Sequence, residues 1–345
     1  MSFSAIVAIG LSLLSQNVEA RSWRINSRPD AKANFESINE AMESLEVLNE
    51  DTLYLDPGCV LGDQTVSKSV TIIGTGYNLQ DETTREAIIS GTLNVASDNV
   101  KIEGCNINII NCSRHQNTTI ERCKVVTISS YYNGPTYGYA GFRVYSSYIL
   151  NRIDCNRSTG VEISNCIITG PIQDASNASI KNNTIICNGY NSYALSASNS
   201  SILNNIILNT NDGYSVDENQ KPYYYKNNTI QSVAQENNNV INNNVLSTDA
   251  EHAFANFPKN KFIGATPEDI FTMDGTVEEM YKLKEGSPAI GYGANGYDCG
   301  AFAGQYPYVI SGRPRFMPYI YEANIPNTPT EGKLNITLKI KTQNE

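Results

Sequence analysis

Histidine is nearly absent from this chain of 345 residues, which has only His115 and His252. Its eight cysteines form no Cys-x-x-Cys pair. Together these shortages exclude the usual structural zinc arrangements, which need several thiolate or imidazole ligands at short spacing. Positive charge is scarce too. Lys and Arg total 25 against 35 Asp and Glu, a formal net charge of −10. A duplex nucleic-acid binder needs a basic face to displace phosphate counterions, so no nucleic-acid partner is expected. Charged residues of both signs reach only 17%, against 40% hydrophobic, a balance unlike that of a disordered chain. No stretch approaches the roughly 18 apolar residues of a membrane-spanning helix, so no integral membrane segment is expected.

One shorter apolar run opens the chain, Phe3-Ser-Ala-Ile-Val-Ala-Ile-Gly-Leu-Ser-Leu-Leu14, and ends near Val18-Glu-Ala20. An apolar run followed by a small-x-small site reads as a secretory signal over residues 1–20, although no Lys or Arg precedes it. A buried N-terminal helix is the alternative. Export would place the protein in the periplasm, on the cell surface or outside the cell. No Cys follows the cleavage site, so a lipoprotein anchor is not expected. All eight cysteines would then sit in an oxidising compartment.

What is plentiful is Asn, with 42 residues, and Tyr, with 21. Many of the asparagines belong to an internal repeat. The segments Ile102-Glu-Gly-Cys105-Asn-Ile, Ile120-Glu-Arg-Cys123-Lys-Val, Val144-Tyr-Ser-Ser147-Tyr-Ile and Ile163-Ser-Asn-Cys166-Ile-Ile align. They continue in Ile180-Lys-Asn-Asn183-Thr-Ile, Ile202-Leu-Asn-Asn205-Ile-Ile, Tyr225-Lys-Asn-Asn228-Thr-Ile and Ile241-Asn-Asn-Asn244-Val-Leu. Each unit sets a short β-rich segment on either side of a polar corner. Alone it cannot bury its apolar face, but stacked units make a continuous core. Asn at one corner of successive coils can pass amide hydrogen bonds along the stack, and Cys fits the same slot as a small hydrophobe. The expected fold is all-β, a single-stranded parallel β-helix of roughly nine coils, on the order of 40–45 Å long at the usual strand spacing. Steps of 16 to 24 residues between the fourth positions disfavour α-solenoids and propellers, whose repeats are longer.

The ends need covering, because open strand edges invite aggregation. Residues 34–48 read as an amphipathic helix with Phe35, Ile38, Met42 and Leu45 on one face, capped by Asn34 or Asp30. The expected organisation is a signal peptide (1–20), an N-terminal strand and capping helix (21–50), coils (51–250), a C-terminal cap (251–305) and an extended tail (306–345). In that tail Leu334-Asn-Ile-Thr-Leu-Lys-Ile340 alternates cleanly, as a strand lying on the coils or against a partner would.

The segment from Trp23 to Gly76, with Ser287-Pro-Ala-Ile-Gly291 and Asp298-Cys-Gly-Ala-Phe302, resembles right-handed parallel β-helix proteins of the pectin lyase-like superfamily. The resemblance is to exported bacterial members, covers nearly the whole mature chain, and implies a carbohydrate ligand. Fold likeness alone does not fix an activity. A hydrolase would need paired carboxylates, and Asp154, Asp174 and Asp217 are the candidates, the first two at similar distances from their corners. Turn positions at corners are their competing explanation. Asn209-Thr-Asn-Asp-Gly213 is similar to the Asn-Thr-Asp-Gly motif of polygalacturonase-like hydrolases with one residue inserted, but the family's later motifs are missing. A lyase would need a base and a cation beside a uronate, and Arg143 and Arg152 are the main candidates. No cofactor or metal is expected, since the coils offer no dense acid cluster for calcium.

Tyrosines are the stronger pointer to a ligand. Tyr131, Tyr132, Tyr137 and Tyr139 crowd one long coil, and Tyr214, Tyr223 and Tyr224 follow on later ones. Sugar rings stack on aromatic faces while the phenol supplies a hydrogen bond. The expectation is an exported protein that binds a polysaccharide or glycan, with cleavage left open between hydrolase and lyase. The alternative is a non-catalytic surface, adhesive or scaffold module that recognises glycan or protein. Oligomeric state is not determined by the sequence.

Overall fold

The computed structural model describes residues 20–79, 85–112, 115–130, 139–156, 158–187, 194–209, 240–242, 245–246, 261–262, 267–313, 319–324, 326, 328–329 and 332–341. Nearly all regular structure among them is β. The chain contributes strands in turn to a ten-stranded sheet and a 13-stranded sheet, and every strand pair within both is parallel. The first sheet runs from Ser22–Ile25 to Val240–Asn242, and the second from Val60–Leu61 to Lys261–Phe262. Two long parallel sheets built this way are consistent with an all-β parallel solenoid.

The repeat explains each coil. In the first sheet a three-residue strand turns only its central side chain inward. Ile72, Ile102, Ile120, Val144, Ile163, Ile180 and Ile202 form that column, all fully buried. Five of those coils enter the strand two residues after a left-handed residue: Asn99, Asn117, Gly160, Asn177 or Asn199. Another left-handed residue follows: Gly104, Arg122, Ser146, Asn165, Asn182 or Asn204. Positive φ is cheapest for Gly and Asn, so much of the asparagine abundance is corner geometry.

The residue after that second corner is the stacked position. Cys105, Cys123, Ser147, Cys166, Asn183 and Asn205 are all fully buried there. Register extends the column upstream to Ala87 and Cys59, because Ile88 N–H donates to Cys59 O as Asn106 N–H does to Ala87 O. The expected ladder is present where Asn stacks on Asn. Asn183 N–H and Nδ2 both donate to Asn205 Oδ1, at 2.9 and 3.0 Å, and Asn205 Nδ2 donates to Ile180 O at 3.0 Å. Ser147 Oγ accepts from Cys123 N–H at 3.1 Å. All eight cysteines are buried and none is in a disulfide. Burial pushes the Cys166 thiol up to about 12, so it behaves as an inert hydrophobe.

Two expectations are corrected. Ile202 pairs directly with Ile241, so the strand that follows Ser201–Leu203 in the first sheet is Val240–Asn242. The unit at 225–230, expected between them, lies outside the described residues. The N-terminal helix is short, Ile38–Glu43, and Ser37 caps it by accepting from Glu40 N–H. Phe35 instead bridges to Ile25 and tilts against Trp23 at 5.6 Å. Leu45 is 95% exposed because the chain turns extended at Ser44. Ile38, Ala41 and Met42 still reach the core.

The C-terminal segment 267–313 lies along the outside of the second sheet. Ile270, Phe271, Ala289 and Cys299 cover the outward Ile186, Ile206 and Leu208, while Ala301 and Tyr308 cover Tyr148 and Ile167. Strands buried on both faces read as continuous apolar runs, and Ile206-Ile-Leu208 is one. The segment also satisfies the corners. Asn165 Nδ2 donates to Ala301 O and Ala303 O, Gly300 N–H donates to Asn204 O, and Arg122 donates to Arg313 O. Gly300, at φ +99°, approaches so closely that a Cβ would lie 2.7 Å from Ile206. Glu278 is fully buried at its start. It accepts from Asn78 Nδ2 and Ser311 N–H, both at 2.7 Å. Burial raises its pKa against the lowering effect of those hydrogen bonds and of Lys124.

Two outcomes follow. Asn205→Ala strands the Asn183 N–H and removes one of the two acceptors of Asn183 Nδ2, which keeps Ile163 O, and should cost about 2–4 kcal/mol in chemical denaturation. Because the folded state binds the Glu278 proton more tightly than the unfolded state, its contribution to stability falls as pH rises from the ordinary carboxylate value through the raised one. Urea midpoints across that interval should fall less steeply in Glu278→Gln than in the parent protein.

Candidate functional site

The outer face of the first sheet is where charge gathers. Register stacks Lys101, Thr119, Arg143 and Glu162 in one outward column, and Glu103, Glu121, Tyr145 and Ser164 in the other. Successive strands are about 4.8 Å apart, so two like carboxylates, Glu103 and Glu121, lie one above the other. Lys101 bridges them, with Nζ 3.0 Å from Glu103 and 3.2 Å from Glu121. Burial works against the Lys101 charge. Its hydrogen bonds and charge attraction to both carboxylates outweigh burial and hold its pKa above the ordinary value.

One coil further, Arg143 Nε lies 3.6 Å from Glu162, and the Tyr145 hydroxyl donates to the same carboxylate at 2.5 Å. Burial, then the hydrogen bond and charge of Glu162, push the Tyr145 phenol well above its ordinary pKa. The phenol therefore stays a proton donor in neutral solution. The strip presents three carboxylates, two cations and a phenol on four successive coils. It is suited to hydrogen-bonding a polyhydroxyl ligand, with charge-assisted bonds strongest.

The four described polar candidates do not converge. Arg143 joins this strip. Arg152 and Asp154 lie on Tyr148–Asp154 of the second sheet. Asp154 pairs with Ser129 and Gln173, not with Asp174, so the expected stacking of the two acids is one residue out of register. Asp174 sits at φ +55° within an irregular stretch of Ile172–Ser176, and Asp154 Oδ1 accepts from Asn156 N–H in a local turn. Asp217, Tyr131, Tyr132, Tyr137, Tyr214, Tyr223 and Tyr224 lie outside the described residues. Tyr139 falls in the short strand Tyr139–Ala140, which pairs with Ser158–Thr159.

The sequence reading missed Lys101, Glu103, Glu121 and Glu162. The signal was present: Glu103, Glu121 and Tyr145 occupy the second position of three successive aligned repeats, and outward columns follow directly from such an alignment. A separate cavity of about 210 Å³ lies beneath the C-terminal segment, lined in part by Thr184, Tyr281, Asp298 and Phe302, and no sequence candidate lines it. Among the described residues no group of three or more His, Cys, Asp or Glu could hold a metal ion, and no helix is long and apolar enough to cross a membrane. No protein-family model, curated protein or solved structure matches the chain.

Partly exposed ion pairs such as Arg143–Glu162 contribute under about 1 kcal/mol. Glu162→Gln should leave the thermal midpoint nearly unchanged while the Tyr145 phenol titrates at lower pH, read by ultraviolet absorbance against Tyr145→Phe.

Proposed function

We propose that this is an exported right-handed parallel β-helix of the pectin lyase-like kind, which binds a polysaccharide or glycan along the outer face of its first sheet. The observation that carries this reading is the strip from Lys101 to Glu162, where three carboxylates, two cations and one phenol lie on four successive coils. A polymer lying along the stack would meet a polar side chain on each of these coils. The Tyr-rich segment 131–139 precedes Arg143 by four residues in the sequence, and aromatic faces are what sugar rings stack on. Export rests on the apolar run and small-x-small site before residue 21. The hand rests on the near-universal right-handedness of parallel crossover connections. The short helix Ile38–Glu43 serves as an N-terminal cap by placing its apolar side chains over the first coils.

Recognition is favoured over catalysis by the pairing of each carboxylate. Glu103 and Glu121 share Lys101, and Glu162 holds both Arg143 and Tyr145. A non-catalytic adhesive module is therefore the second reading of the same strip.

The test is retention of the protein on a panel of immobilised acidic and neutral polysaccharides, with parallel assays for new reducing ends and for unsaturated uronates. Retention on one glycan class is expected. Tyr145→Phe and Glu121→Gln should each weaken it about tenfold, the value of one hydrogen bond to a charged group. Retention by no glycan, or binding untouched by both substitutions, would remove the proposal. New reducing ends alone would add hydrolysis, and unsaturated uronates would add elimination.

A further inference from the structure

The chain ends in a hairpin that belongs to neither long sheet. Tyr319–Asn324 and Thr337–Lys341 pair antiparallel, with Ile320 opposite Ile340 and Ala323 opposite Leu338. Residues 332–340 are all exposed. Leu334, Ile336, Leu338 and Ile340 are 47%, 51%, 45% and 58% exposed, and in an extended chain residues two apart share one face. Among the described residues the second edge of Thr337–Lys341 carries no strand. A lone two-stranded hairpin is marginal in water and needs a third strand or a partner, and an open apolar edge is a template for pairing.

We infer that two copies of this chain join through these hairpins, Thr337–Lys341 of one pairing antiparallel with the same strand of the other about Leu338. The sequence is self-complementary in that register. Leu338 meets its own copy, Ile336 meets Ile340, Thr337 meets Lys339, and Asn335 meets Lys341. Apolar residues therefore oppose apolar ones, and no like charges oppose one another across these pairs, the arrangement that stabilises antiparallel pairing. The segment 333–341 carries three lysines and no acid, and within the hairpin Glu322 stands opposite Lys339. A two-fold axis closes such a contact at a dimer. Its few aliphatic side chains fall short of a standard interface, so affinity should be about micromolar.

Sedimentation of the intact protein from about 1 to 100 µM should show monomer passing to dimer, and Leu338→Lys should stay monomeric. Leu338→Cys, oxidised with glutathione disulfide, should give a linked dimer: two thiols become one inter-chain disulfide and two glutathione thiols are released. The native cysteines are buried, and Val60→Cys, on an exposed position of the second sheet, should not cross-link. A monomer at every concentration, a dimer unchanged by Leu338→Lys, or a growing series of larger species would overturn the inference. So would a monomer that binds phosphatidylserine vesicles through Leu338, which would make the hairpin a membrane contact.

Discussion

Everything in this chain depends on one stacked position per coil. A left-handed residue breaks the strand of the first sheet, and the next residue turns a small side chain inward. Its carbonyl accepts from the following coil, as in Cys105, Cys123, Ser147, Cys166 and Asn183. The corner admits little variation. A large side chain would not fit between stacked coils, and an unpaired amide would cost more than it contributes. Cys, Ser and Asn each meet the constraint differently. Cys fills the space, Ser and Asn fill it and also accept the N–H of the coil before.

The second constraint is the doubly buried second sheet. Its outward residues become apolar in later coils, and segment 267–313 covers them. This covering satisfies the polar edges of the corners through backbone carbonyls and amides. It also buries Glu278, whose hydrogen bonds to Asn78 and Ser311 tie an early coil to the end of the segment. With that face occupied, the outer face of the first sheet carries the charged strip, half-buried at Lys101, Glu121, Arg143, Tyr145 and Glu162 and buried at Glu103. The division of the two sheets into a face covered by segment 267–313 and a half-buried charged one is what locates the proposed ligand surface.

Much of the fold was legible in the sequence. The spacing of Ile102, Ile120 and Ile163 predicts the inward column, and the fourth repeat position predicts the buried corner. Phe35 and Leu45 both fit a helical period, yet Phe35 bridges to a strand and Leu45 faces solvent. The candidate site was less legible. Asp154 and Asp174 lie at similar distances from their corners, and an irregularity in Ile172–Ser176 accompanies their mismatch in register. Glu103, Glu121 and Tyr145 need no count from a corner, since they lie within the repeat itself.

The sequence alone determined the repeat, the small buried corner and the alternation of short strands. These are local, period-bound properties of residues that either fit a stacked coil or do not. Only the tertiary structure decided which strands became neighbours across gaps, as when Ile202 met Ile241, and which sheet face the C-terminal segment would cover. Those choices depend on contacts between residues far apart in the chain. Lys101 becomes a bridge between two carboxylates only once one coil has been laid on the next.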